Sequence, residues 1–238
     1  MPRVTVLSPH LDDAVFSLGL SLAQWSEWKL ELAVINFFTV SAFAPRCAPD
    51  VPEVISVIRE REDRRALSSI SSNIRIKSLG LLDAPLRLGL PVSSVFTLKV
   101  DPGEFQALEQ RIAGAVIAPL GLGNHIDHLT VRDAAIWQER KNLAFYEDLP
   151  YAAWNSDVAV RQCVQEVEKM SGRRLRPAIL RRPCALAAKR RLVGFYQSQI
   201  DREEAGLIAR FASNYGGGER IWVPTPASRQ TAILSRPR

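Results

Sequence analysis

Two short apolar runs near the N-terminus limit what this chain can fold into. Residues 3–8 alternate and are rich in β-branched side chains, and residues 32–38 form a continuous apolar stretch. Both patterns belong to strands buried inside a sheet. Between them, over 13–28, Val15, Leu18, Leu22 and Trp25 recur at helical spacing on one face. Two buried strands joined by a helix are a βαβ unit, which requires the strands to be parallel.

The alternation continues. A loop with Pro45, Pro49 and Pro52 precedes a charged amphipathic segment, 53–70, that reads as a helix with Val54, Ile58 and Leu67 turned inward. Strands are expected at 75–79, 115–118, 143–146 and 178–180, with helical stretches near 103–114, 130–140, 156–170, 184–199 and 201–212. Gly216, Gly217 and Gly218 make a turn before a last strand at 220–223. Strands alternating with helices imply an α/β fold, a Rossmann-like, doubly wound and mostly parallel sheet. With 238 residues and 47% hydrophobic content, the chain can bury a full core as one domain spanning 1–238.

Several function classes drop out. No secretory signal opens the chain and no apolar run is long enough to span a bilayer, so a soluble, cytoplasmic protein with no membrane span is expected. Cys47, Cys163 and Cys184 are odd in number and lack CxxC spacing, which argues against a disulfide framework and a thiolate metal site; they read as reduced packing residues. The net charge of +6 is concentrated in Arg173, Arg174, Arg176, Arg181, Arg182, Lys189, Arg190 and Arg191. One reading is a solvated helix face and loop; the other is a rim that attracts an anionic substrate or a phosphate. Nucleic acid is not an expected partner, because no aromatic residues are interleaved there as a stacking platform.

Chemistry is expected where strands end, because sheets of this kind bind ligands at their carboxyl edge near the topological switch point. The chain has 3 histidines, and all lie in two such places: His10 in Pro-His-Leu-Asp-Asp, and His125 and His128 in Asn-His-Ile-Asp-His. Imidazole and carboxylate are ordinary zinc ligands, and a catalytic zinc site uses three protein ligands with one position open. His10 and Asp13 can point at one ion and His128 can complete the set. Asp12 stands beside the open position as a general base. His125 would stabilise the tetrahedral oxyanion or protonate the departing amine, held in orientation by Asp127. The bland alternative is that the aspartates cap the following helix. A nucleotide-binding loop is disfavoured, because acidic residues stand where a glycine-rich turn should cradle phosphate.

The segments Pro9-His10-Leu11-Asp12-Asp13 and His125-Ile126-Asp127-His128 resemble the PHPDD and HPDH motifs of the PIG-L/LmbE-like N-acetylglucosaminide deacetylases. The resemblance implies a Rossmann-like fold, a catalytic Zn2+ and hydrolysis of an N-acetyl group on an amino sugar. It makes His10, Asp13 and His128 the zinc ligands, Asp12 the base, and His125 the stabiliser of the tetrahedral intermediate with Asp127 behind it. Weaker echoes make Arg59 and Asp83 substrate contacts, and 146–151 resembles a segment of many bacterial members. Leu11 and Ile126 replace the usual second prolines. Gly123 stands where some members carry a substrate-side tyrosine, a vacancy that would admit a bulkier substrate. The expected partner is a small amino-sugar molecule. A non-catalytic sugar-binding protein on the same fold, or a deacylase for longer acyl chains with 37–44 lining the acyl pocket, are the alternatives.

Overall fold

The computed structural model describes residues 1–47, 51–110, 112–138 and 141–235. In chain order its regular elements are β1 (Arg3–Ser8), α1 (Asp13–Glu27), β2 (Glu31–Val40), α2 (Pro52–Ile70), β3 (Arg75–Leu82), α3 (Ala84–Leu88), β4 (Ala115–Pro119), α4 (Ile126–Trp137), β5 (Leu143–Tyr146), α5 (Tyr151–Trp154), α6 (Asp157–Ser171), β6 (Arg174–Arg181), α7 (Ala185–Val193), α8 (Arg202–Phe211) and β7 (Gly218–Thr225). The strands form a seven-stranded sheet of order β3-β2-β1-β4-β5-β7-β6. The first five are mutually parallel, whereas β7 runs antiparallel to β5 and β6 antiparallel to β7. The expected α/β, mostly parallel, doubly wound sheet is therefore present. No helix among the described residues is long and apolar enough to cross a membrane.

α1 carries the stripe read from the sequence: Val15, Leu18, Leu22 and Trp25 are all fully buried, packed with the β1 side chains Val4 and Val6. α2 departs from expectation. Its inward residues are Ile55, Arg59, Asp63, Ala66 and Leu67, while Val54 is exposed. Apolar spacing misreads this helix because part of its buried face is polar: Asp63 accepts hydrogen bonds from Asn36 (2.8 Å) and the Tyr196 hydroxyl (2.8 Å). Burial pushes Asp63 up to about 7 against these two donors.

Other differences have local causes. The stretch from 103 holds a 3-10 turn, Pro102–Leu108, instead of an α-helix. Chain entry into β4 passes through Gly114 at φ 93°, where a Cβ would lie 2.3 Å from the Arg3 carbonyl oxygen. The expected helix over 184–199 ends at Val193 with Gly194 as its C-cap and continues in turns. β6 is longer than foreseen; arginines 174, 176 and 181 decorate it, and an edge strand tolerates and benefits from such charge. Pro49 and the ends of two expected helices, at 111 and 139–140, lie outside the described residues. Of the cysteines, Cys47 and Cys163 are half-buried, but Cys184 is exposed at the start of α7.

Lys189 corrects the reading of the basic segment as a solvated surface, because it is 1% exposed. Its ammonium pairs with Glu219 of β7 and donates to the Val15 carbonyl of α1 (3.1 Å). Glu219 in turn accepts from the backbone N–H groups of Leu20 (3.0 Å) and Ser21 (2.7 Å) in α1. The pair therefore ties α7 and β7 to the helix whose N-terminus carries the acidic motif. Removing one partner of a buried pair strands the other charge, at a cost of roughly 3–5 kcal/mol. Lys189→Met is expected to lose stability of that order in denaturant titration, while Arg190→Met, on the exposed face, changes it by less than about 0.5 kcal/mol.

Candidate active site

Strand order reverses between β1 and β4, and the candidate residues gather at the carboxyl edge around that switch point. His10, Asp12 and Asp13 follow β1; Ser41 and Phe43 follow β2; Asp83 follows β3; His125, Asp127 and His128 follow β4; Asp148 and Tyr151 follow β5. The first turn is held by its own side chains. Ser8 Oγ donates to the His10 carbonyl (2.6 Å) and accepts from Ala14 N (3.1 Å), while Asp13 Oδ2 accepts from His10 N (2.8 Å). Asp12 occupies the N-cap position of α1 but makes no side-chain cap bond, so the helix-cap alternative does not hold for its carboxylate.

His10, Asp13 and His128 are brought together with potential ligand atoms within 4.8 Å of one another. His10 Nδ1 and His128 Nε2 each lie 3.4 Å from Asp13 Oδ2. Ligands at zinc bond lengths with tetrahedral angles stand roughly 3.3 Å apart, so the donor set and its spacing fit a zinc-sized ion. The other ring nitrogens are engaged behind the site. His10 Nε2 meets Asp127 Oδ2 at 3.0 Å, and His128 Nδ1 meets Asp148 Oδ1 at 2.7 Å. Carboxylates in those positions hold a proton on the rear nitrogen and leave the front lone pair for a metal.

A second cluster, His10 with His125 and Asp127, also has metal-ligating types within reach. It suits a cation poorly, because Asp127 already accepts from Ala84 N (2.9 Å) and from the Arg87 guanidinium (3.0 Å). Asp127 corrects one expectation: its carboxylate orients His10, not His125. What holds His125 is the Asp127 backbone N–H, which donates to His125 Nδ1 (3.2 Å) as His125 caps α4. That bond leaves the ring proton on Nε2.

Charge follows from this packing. Burial alone would depress His10, but hydrogen bonds to Asp127 and Asp13 raise it to about 10. Burial would raise Asp13, yet His128 and His10 hold it down to about 2. His125 is pressed down to about 2 by burial and the neighbouring His10 and His128. It is therefore a neutral hydrogen-bond donor at ordinary pH and not a proton donor. Asp12 is raised by burial and partly offset by Arg59.

Arg59 and Asp83 both border the same cavity. Arg59 is buried and spans Asp12 Oδ2 (3.3 Å), Ser41 Oγ (3.0 Å) and the Phe43 carbonyl (3.2 Å). Asp83 caps α3 through Oδ1, which accepts from Leu86 N (3.2 Å). The cavity measures about 530 Å3 and also takes in Asp12, Phe43, Phe96, His125, Tyr151 and Trp154. None of the clustered basic residues of 173–191 lines it, so they form no rim of this site. Nor is the place beside Gly123 vacant: the Tyr151 ring fills it.

Sequence reasoning assigned no role to Asp148, Tyr151 or Arg87. The signal for Asp148 was only partial: two acidic residues, Glu147 and Asp148, follow the apolar run of β5, and only the packed sheet shows that the second meets His128 while the first meets Arg220 and Tyr215. Arg87 and Tyr151 carry no such pattern, as their places depend on how short helices fold over the strand ends.

Five parallel strands thus present, at their switch point, a cluster of imidazoles and carboxylates that could hold a metal ion. No family model matches the chain. It is 28% identical to a 2′-N-acetylparomamine deacetylase of Streptomyces fradiae, over 94% of this chain and 91% of the relative. The solved structure of the A40926 pseudoaglycone deacetylase is similar at 25% identity and a TM-score of 0.67, covering 93% of this chain and 96% of that one. An N,N′-diacetylchitobiose deacetylase from Pyrococcus horikoshii shares the fold at 15% identity and a TM-score of 0.63, over 94% and 84% of the two chains. These similarities agree with the resemblance of the two histidine motifs to those of the PIG-L/LmbE-like deacetylases.

Metal-free His10 stays protonated up to about 10, so at pH 7 it must shed a proton to offer Nδ1 as a ligand. Apparent metal affinity therefore rises with pH across the neutral range. Calorimetric titration of the metal-free protein with Zn2+, in buffers of different ionisation enthalpy, should report release of about one proton or more per ion; none released would show that His10 is not held protonated in the metal-free protein. Asp148→Asn should weaken the same binding by roughly 10- to 100-fold by loosening His128.

Proposed function

We propose that this chain is a zinc-dependent hydrolase that removes an N-acetyl group from an amino sugar, with His10, Asp13 and His128 holding the metal. The observation that carries the reading is the pair of imidazole nitrogens, each 3.4 Å from one oxygen of Asp13, set in a cavity beside Asp12. The names of the paromamine and pseudoaglycone deacetylases that the chain resembles point the same way.

Bound zinc would polarise the amide carbonyl and make water more acidic. Asp12 is the general base: the Arg59 guanidinium orients its carboxylate, and burial gives it the proton affinity to deprotonate an attacking water. The same carboxyl then holds a proton for the departing amine. His125, neutral and protonated on Nε2, donates a hydrogen bond to the carbonyl oxygen as negative charge gathers there. Asp127 and Asp148 act through His10 and His128, which they orient.

The cavity suits a saccharide. Its volume lies within the roughly 300–1,000 Å3 typical of small-molecule sites, and Phe43, Phe96 and Trp154 offer faces for the apolar side of a sugar ring. Asp83 has a second oxygen for a sugar hydroxyl, and Arg59 supports the acyl end through Asp12. Asp83, Asp201 and Glu204 against Arg46 and Arg59 give the wall an acidic balance, which favours a substrate bearing free amines over an anionic one.

Release of free amine from a panel of N-acetylated aminoglycosides and N-acetylglucosaminides, before and after chelation and zinc restoration, tests this reading. Asp12→Ala should keep stoichiometric metal by elemental analysis while turnover falls by roughly 10²- to 10⁴-fold. His10→Ala should lose the metal. Full metal occupancy in His10→Ala, or metal loss in Asp12→Ala, would overturn the assignment of ligand and base.

A further inference from the structure

The turn ahead of His125 sets a glycine against a tyrosine. Gly123 has φ 83°, and a Cβ built there would lie 2.5 Å from both Cγ and Cδ1 of Tyr151. The Tyr151 ring thus occupies the space a side chain at 123 would need, and only glycine lets it lie there.

Packing fixes that ring on several sides. It stands perpendicular to the His128 imidazole at 5.5 Å and 87°, and makes edge contacts with Phe96 at 6.0 Å and Trp154 at 5.9 Å. Its hydroxyl, by contrast, has no hydrogen-bond partner among the described residues, although Tyr151 lines the cavity shared by His10, Asp12, Asp13 and His125. A phenol held by its ring usually finds a partner for its O–H when it packs against protein. The cavity that Tyr151 lines has room for a ligand to supply that partner. The hydroxyl is also an uncharged donor, as is His125 Nε2–H on the neighbouring wall.

We propose that Tyr151 is a catalytic residue of this site: its O–H donates a second hydrogen bond, beside that of His125, to the carbonyl oxygen of the scissile amide. The hydrogen bond strengthens as the carbonyl carbon becomes tetrahedral and charge moves onto its oxygen. No covalent bond to Tyr151 forms or breaks, and its proton stays on the phenol throughout. Gly123 is the positioning partner, since its missing side chain sets where the ring lies. This rests on the deacetylase reading above.

Tyr151→Phe separates the hydroxyl from the ring. Because the ring contacts remain and the hydroxyl has no partner among the described residues, melting temperature and metal content should match wild type. The kcat should fall by roughly 100-fold or more, the magnitude for loss of one oxyanion donor, with KM within about threefold. The second readout is binding, by calorimetry, of an amino sugar whose acetyl group is replaced by a tetrahedral methylphosphonamide. Tyr151→Phe should weaken that analogue by at least about tenfold and leave the free-amine product unchanged, as expected for a contact made in the transition state. Gly123→Ala should show the same two defects while keeping Tyr151, and adding Tyr151→Phe to it should cost little more. Wild-type kcat and analogue affinity in Tyr151→Phe would overturn the proposal. A wild type that binds the analogue but frees no amine from any substrate would overturn the deacetylase reading, and the comparison of analogue affinities would still decide the contact made by Tyr151.

Discussion

Three carboxylates, Asp13, Asp127 and Asp148, lie at 4%, 0% and 0% exposure, and the site depends on how their charge is offset. Each is anchored by backbone N–H groups from a turn at a strand end: His10 for Asp13, Ala84 for Asp127, Gly121 and Leu122 for Asp148. Each also meets an imidazole, and Asp127 the Arg87 guanidinium as well. Buried carboxylates would otherwise be driven to protonate; paired in this way, they hold His10 and His128 in the orientation and tautomer that present lone pairs inward. Burial, with the charge of the neighbouring His10 and His128 added, pushes His125 toward its neutral form.

The rest of the fold keeps these turns in place. α1 starts at Asp13, and its middle is fastened to α7 and β7 through Lys189 and Glu219. α2 lays Arg59 on Asp12 and buries Asp63 one turn further along. Arg59 and Asp63 cost that helix apolar burial, which Ile55, Ala66 and Leu67 supply at its two ends. Glu62, on the same helix, binds the backbone N–H and hydroxyl of Ser198, so the segment that closes one side of the cavity hangs from the helix that orients the proposed base.

Similarity to other proteins and the geometry support the function on different grounds. A shared α/β sheet does not fix a reaction, since one fold hosts many chemistries. The proposed reaction class rests on the spacing of the candidate ligands, with Asp12 and a neutral His125 lining the same cavity. The acidic balance of the cavity wall and its aromatic residues bear on the substrate, and here the chain diverges from what its overall charge suggested. A basic protein carries an acidic cavity wall because the clustered arginines of 173–191 sit on an edge strand and an outer helix face, leaving Arg46 and Arg59 as the arginines that line it.

Much of this was legible in the sequence. Buried parallel strands are continuous apolar runs, so β1, β2, β4 and β5 could be located, and the switch-point rule then made the strand-end histidines and aspartates the place for chemistry. Residues three apart at a helix start share a side, which is why His10 and Asp13 could be paired before any coordinates. The inward face of α2 was not legible, because polar residues buried toward a site break apolar periodicity. The partner of Asp127 and the position of Tyr151 were equally hidden. Hydrogen bonds and ring contacts between segments more than a hundred residues apart, such as His10 with Asp127, depend on where chain crossovers bring strand ends together. Local propensity specifies each turn, but only the packed sheet decides which turns face one another.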